Sequence, residues 1–153
     1  MLVYRLAKRK YASDISGTGA AITGGRWNRK RRPVLYTSDS IPLCLLEMVV
    51  NIPPMFQPDL MLLVLEIPDN AIVEIPLDVL PENWFKYPAP SVLAEIGEEY
   101  YTVKNALIIK VPSSVVHSHF NYVLNCLHPR FNEIKIHSQQ PFIFDPRLYR
   151  NQK

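Results

Sequence analysis

Fourteen prolines distributed along 153 residues limit this chain to short elements, because each locks φ near −65° and removes a backbone donor. No helix interior or central strand passes easily through such a residue, and the prolines do not gather into one linker. The chain is therefore read as a single domain, 1–153, punctuated throughout. Between the prolines, runs rich in Val, Ile, Leu, Tyr and Phe predict strands near residues 2–6, 33–37, 60–67, 71–75, 106–111 and 141–145. A helix is predicted after Ser38-Asp39-Ser40, with Pro42 early where a missing amide is tolerated, continuing through Leu43 to Val50. A second follows Pro88 to Ser91 and runs through Val92, Leu93, Ile96 and Tyr100, spaced along one face. Strands alternating with helices point to an α+β or mixed architecture, and 48% apolar residues suffice for a core.

Charge excludes little but weakens one class. The formal net charge is +3, from 17 Lys and Arg against 14 Asp and Glu, and much of the excess is the run Arg29-Lys30-Arg31-Arg32. That is too slight for a dedicated nucleic-acid binder; the run reads as a solvated turn or a contact for an acidic partner. Cys44 and Cys126 lie among apolar residues without metal-ligand spacing, so neither a disulfide framework nor a metal site is expected. No stretch approaches the roughly 18 to 20 apolar residues of a membrane span, and the N-terminus MLVYRLAKRK lacks a signal peptide's apolar run. A cytoplasmic protein without membrane contact is expected.

Four of the five glycines, Gly17, Gly19, Gly24 and Gly25, fall within nine residues. Ordering glycine is costly, so the cluster implies either positive φ in tight turns or close approach of a ligand's phosphate or ribose. The spacing matches neither the phosphate-binding loop ending in Gly-Lys-Ser/Thr nor the dinucleotide fingerprint. Arg26 follows directly; its planar fork suits a pyrophosphate, although an arginine there can also be a surface charge. Glu47 is the only charged residue in Ile41–Val50. On a helix apolar on every face, a carboxylate must be desolvated, so it either closes a buried ion pair or serves a site. Tyr36 ends the preceding strand, where its ring either stacks on a base or simply packs.

Arg26, Tyr36 and Glu47 are separated by ten and eleven residues. With the segments Val3-Tyr4-Arg5, Ser16-Gly-Thr-Gly-Ala20, Gly24-Gly-Arg-Trp-Asn28, Val34-Leu-Tyr-Thr-Ser38 and Leu46-Glu47, the order and spacing resemble those of RES-domain toxins. Later blocks, Leu80-Pro-Glu-Asn-Trp84, Tyr87-Pro88, Pro112-Ser113, Asn121-Tyr-Val-Leu-Asn125, His128-Pro129 and Phe144-Asp145-Pro-Arg147, extend the resemblance over nearly the whole chain. Where that family commonly has a glycine before the Tyr-bearing strand, this chain has Arg29-Lys-Arg-Arg32, and Tyr100-Tyr101 replaces a commoner Trp-Leu pair.

The resemblance implies a fold similar to ADP-ribosyltransferases, with central β-sheets flanked by helices, and a toxin neutralised by an Xre-type helix-turn-helix antitoxin. DNA would be met only through that complex, a hetero-oligomer of toxin and antitoxin. NAD would be substrate rather than cofactor, and no metal is implied. Arg26, Tyr36 and Glu47 would form the catalytic set, with Arg5, Gly25 and Ser113 binding substrate. Which of Arg26 and Arg5 meets the pyrophosphate stays open. Of His117, His119, His128 and His137, only His128 falls on a family block, in a structural role. The leading expectation is cleavage of the nicotinamide–ribose bond with water or phosphate as acceptor. Transfer of ADP-ribose to a protein is the alternative, and a non-catalytic module using the basic run on nucleic acid is a third.

Overall fold

The computed structural model describes residues 1–52 and 59–149. Seven strands, β1 (Leu2–Lys8), β2 (Val34–Ser38), β3 (Leu60–Glu66), β4 (Ile72–Glu74), β5 (Ile108–Pro112), β6 (Phe120–Asn125) and β7 (Lys135–Phe142), form one sheet in the order β4-β5-β6-β2-β1-β3-β7. Only β4 and β5 run parallel; every other pairing is antiparallel. Three helices, α1 (Thr18–Thr23), α2 (Ile41–Asn51) and α3 (Val92–Thr102), complete an α+β architecture.

Two predicted helices form where the sequence places them. Ser40 caps α2 by accepting from the Leu43 amide at 3.3 Å, and Pro42 occupies the first turn. Buried Leu93 and Tyr100 turn α3 inward onto Trp27, Ile109 and Val123. Gly97 is required there, because a Cβ would collide with the Trp27 carbonyl.

Three features depart from expectation. The predicted strand at 141–145 is displaced, since β7 occupies 135–142 and residues 143–145 lie outside it. At the sheet edge β7 is mostly exposed and polar, so its sequence carries no apolar alternation to announce it. Strand β6 went unpredicted; its asparagines disguise an alternation in which Phe120, Tyr122 and Leu124 take one face and Asn121, Val123 and Asn125 the other. The glycine-rich stretch holds the unpredicted helix α1, bracketed by Gly17 (φ 75°) and Gly24 (φ 69°) in conformations that favour glycine.

The sheet is unevenly joined. Strands β1 and β3 pair from Leu2↔Glu66 to Lys8↔Leu60, and β2 pairs with β6 from Val34↔Asn125 to Ser38↔Asn121. Between β1 and β2 the only register pair is Tyr4↔Ser38. Across that seam Arg5 Nη1 donates to the Tyr36 carbonyl at 3.1 Å. One core packs Val3, Leu35, Leu65, Ile108 and Leu124; α2 covers a smaller one through Cys44 against Leu6, Leu62 and Val64. No helix among the described residues is long and apolar enough to cross a membrane.

Candidate active site

Glu47 projects from α2, which is not buried on every face as its composition suggests: Leu46 and Val50 are exposed and Glu47 itself is half-buried. Among the described residues no cation pairs with it directly. Ser113 Oγ, at the end of β5, and Asn121 Nδ2, on β6, both donate to Glu47 Oε1 at 2.7 Å. These neutral donors replace the buried ion pair that was one reading of the sequence. No described residue donates to Oε2, so one oxygen is anchored and the other remains available.

The anchors are themselves fixed. Ser113 is fully buried, and its hydroxyl oxygen accepts from the Val115 and Val116 amides at 3.1 Å while its proton goes to Glu47. Asn121 Oδ1 accepts from Ser38 Oγ at 2.8 Å, which leaves its amide nitrogen aimed at Glu47. The sequence reading missed Asn121. Its signal was an asparagine on the same strand face as a core valine, opposite Ser38 in register.

Tyr36 and the glycine-rich loop form a second, interlocked group. The Tyr36 hydroxyl donates to Asn28 Oδ1 at 2.6 Å and accepts from the Trp27 amide at 3.1 Å. Burial pushes its phenol pKa far up, so the hydroxyl keeps its proton. Gly25 is forced by this packing, because a Cβ would lie 2.6 Å from that hydroxyl. Asn28, 99% buried, also donates through Nδ2 to the carbonyls of Ala20, Arg29 and Arg32. It is a hub that sequence reasoning passed over as part of a motif.

Arg26 reaches over the same loop. Its Nη1 donates to the Trp84 carbonyl at 2.6 Å and its Nη2 to the Lys86 carbonyl at 3.2 Å. Burial lowers its pKa, and the charges of Glu47 and Tyr36 act in the opposite direction. Arg26, Tyr36 and Glu47 thus share one neighbourhood without a direct hydrogen bond among them. Arg5, its pKa lowered first by burial, joins the group through the Tyr36 backbone.

Other candidates fall away from the chemistry. Burial pushes the thiol of Cys44 up to about 11 and that of Cys126 up to about 12, so neither is a ready nucleophile. His128 accepts from the Arg130 amide at Nδ1 and meets the Asn105 carbonyl at Nε2, 3.1 Å away, a turn-holding role. His119 Nδ1 lies 3.1 Å from both oxygens of Asp39. Within the basic run, Arg32 makes a two-pronged pair with Glu98 at 3.0 and 2.5 Å, and Arg29 lies 3.6 Å from Glu95. The run is partly neutralised by α3, in keeping with a turn rather than a polyanion contact.

Residues 2–145 match the RES domain family. A protein of Photorhabdus laumondii named Toxin Res is 36% identical, the match covering the whole of both chains. A Yersinia enterocolitica protein of the same name is 37% identical over 97% of this chain and 99% of its own. A Sphingobium protein named Prs ADP-ribosylating toxin is 32% identical over 94% of this chain and 92% of its own. Among solved structures, the Mycobacterium tuberculosis MbcT-MbcA toxin-antitoxin complex contains a chain that superposes with a TM-score of 0.77 over 97% of this chain and 86% of that one, at 19% identity. The fold is shared with that chain, and by sequence this protein belongs to the RES domain family.

Proposed function

We propose that this protein is the toxin of a toxin–antitoxin pair and that it cleaves NAD between nicotinamide and ribose. One observation carries the chemistry: among the described residues Glu47 is held through Oε1 alone, by Ser113 and Asn121, and Oε2 has no donor. The nicotinamide of NAD is a cationic leaving group. When its bond to C1′ breaks, the electron pair goes to the ring nitrogen, and positive charge develops across C1′ and the ring oxygen of the ribose. A fixed carboxylate facing that sugar stabilises the developing charge and accepts from a ribose hydroxyl. An acceptor oxygen then adds to C1′ and gives up its proton. Arg26 and the glycine-rich loop suit the pyrophosphate: Nη1 and Nη2 each give one N–H to the Trp84 and Lys86 carbonyls, and the guanidinium's five N–H donors leave others for an anion.

Water and inorganic phosphate are the leading acceptors. Transfer to a protein side chain is the second reading, favoured by the name of the Sphingobium relative. The partner is read as an Xre-type helix-turn-helix antitoxin in the cytoplasm; the toxin–antitoxin complex among similar structures supports an antitoxin partner and does not bear on its type or compartment. Purified protein incubated with NAD, with and without phosphate and with cell extract, is expected to release nicotinamide. Mass spectrometry of the other product separates ADP-ribose, its phosphorylated form and a modified protein. Intact NAD in all three incubations would overturn the proposal.

A further inference from the structure

Outside the Glu47 centre, one ring cluster is only partly accounted for by packing: Trp84 lies against the Trp27 core, while its two neighbours are left at the surface. Trp84, Phe85 and His117 group their rings with centroids 5.1 to 5.8 Å apart and planes tilted by 47° to 85°. Phe85 is 40% exposed, His117 is exposed, and Trp84 is half-buried. The exposed Phe85 ring keeps apolar surface in water that burial would have removed.

Their attachments place them at the rim of the site. The guanidinium of Arg26 holds the carbonyls of Trp84 and Lys86, on either side of Phe85. On the other flank, His117 belongs to the loop that begins at Ser113, whose hydroxyl holds Glu47. The loop closes on itself through Ser113 N–H to the His119 carbonyl and His119 N–H to the Val116 carbonyl. The rings therefore bridge the segment fixed by Arg26 and the loop fixed to Glu47.

We infer that the Trp84–Phe85–His117 cluster is a stacking platform for a planar heteroaromatic base of the dinucleotide. This deepens the NAD reading and rests on it. In a dinucleotide each base lies one ribose from the phosphates, so rings beside an arginine that engages a pyrophosphate are within reach of a base. Members of the cluster already touch, so the base stacks on the outward face rather than between them. Stacking on aromatic side chains tolerates different bases because each offers a π-face. Adenine and nicotinamide share that chemistry, and the two are distinguished by ligands that carry only one of them.

The test is Phe85→Ala and Phe85→Trp against wild type, with steady-state NAD cleavage and direct binding of ADP-ribose and nicotinamide mononucleotide. Trp84 stands in the cluster, so its fluorescence on ligand addition is compared between wild type and Phe85→Ala, and Phe85→Trp, which adds an indole, is read by KM and by calorimetric binding. Phe85→Ala is expected to raise KM for NAD by roughly tenfold at unchanged kcat, and Phe85→Trp to restore it. Weakened ADP-ribose binding alone assigns adenine to the platform; weakened mononucleotide binding alone assigns nicotinamide. A fall in kcat without change in KM, no change at all, or failure of Phe85→Trp to rescue would reduce the cluster to a brace and overturn the inference. If wild type binds these ligands with quenching that Phe85→Ala weakens, yet cleaves no NAD, the platform stands and the proposed reaction fails.

Discussion

Glu47 on α2 and Glu98 on α3 sit on helices of eleven residues each, and they are held in opposite ways. Both oxygens of Glu98 are taken by the guanidinium of Arg32, a fork-to-fork pair that fastens the basic run to α3. Glu47 receives two neutral donors on a single oxygen. A carboxylate with both oxygens engaged by a cation has spent its charge on the fold. One fixed by neutral donors keeps its full charge, and among the described residues its second oxygen has no donor. Between these two glutamates, the one that is used up braces the scaffold, and the one with an oxygen left over is the candidate for the chemistry.

The largest expected effect comes from Glu47→Gln. The amide oxygen can still accept from Ser113 and Asn121, and no cation is left unpaired, so the thermal midpoint is expected to stay unchanged. NAD turnover is expected to fall by roughly 100-fold or more, the scale for loss of a transition-state interaction. A melt and a turnover assay on one preparation decide it. Near wild-type turnover in a folded variant would erase the distinction between the two glutamates.

That distinction was only half legible in the sequence. A lone carboxylate in Ile41–Val50 identified Glu47 as unusual, and capping by Ser38 to Ser40 with Pro42 located its helix, because those signals are local. The buried alternative failed because composition does not say which helix face a sheet covers; Leu46 and Val50 are exposed. Asn121 escaped notice because its positioning role comes from a partner far along the chain, Glu47 at 74 residues. Asn28 escaped for another reason: its partners, Ala20, Arg29, Arg32 and Tyr36, are near in sequence, but only the folded loop turns their carbonyls and hydroxyl onto its amide. Strand β7 was misplaced since an exposed edge needs no apolar pattern, whereas the buried strand β3 declared itself.

Tyr36→Phe tests the scaffold side. It deprives the Trp27 amide and Asn28 Oδ1 of their shared partner, both in a loop packed against α3. Leaving buried polar groups unpaired costs about 1 to 3 kcal/mol, which corresponds to a drop of roughly 2 to 10 °C in the melting midpoint. An unchanged midpoint would mean that the loop is held by Asn28 without the phenol.

Asn121→Ala sharpens the reactive side. Ser113 still holds Oε1, but the carboxylate gains freedom to rotate away from the sugar. A loss of about tenfold in kcat with little change in KM is expected, from removal of one charge-assisted hydrogen bond. A matching loss of stability with unchanged kcat would move Asn121 to the scaffold.

The smallest effect separates a used hydroxyl from an idle one within the same region. Tyr101 on α3 is 97% buried, and among the described residues its hydroxyl has no hydrogen-bond partner, whereas that of Tyr36 has two. Tyr101→Phe removes a polar atom that was desolvated without return and keeps the ring that packs in the Trp27 core, 5.9 Å from the Arg32 guanidinium. The midpoint is therefore expected to hold or rise, by up to about 1 kcal/mol in stability, opposite in sign to Tyr36→Phe. Burial also holds the Tyr101 phenol well above its ordinary pKa of 10.0. Unfolded tyrosine then releases its proton first as pH climbs past 10, so this group's contribution to stability is complete below that pH and is lost above it. Tyr101→Phe lacks that loss, and its advantage over wild type should widen between neutral pH and pH above 10 in parallel melts. A lowered midpoint at neutral pH would show that the hydroxyl is engaged, and that an unpaired polar atom in this region is no guide to the scaffold.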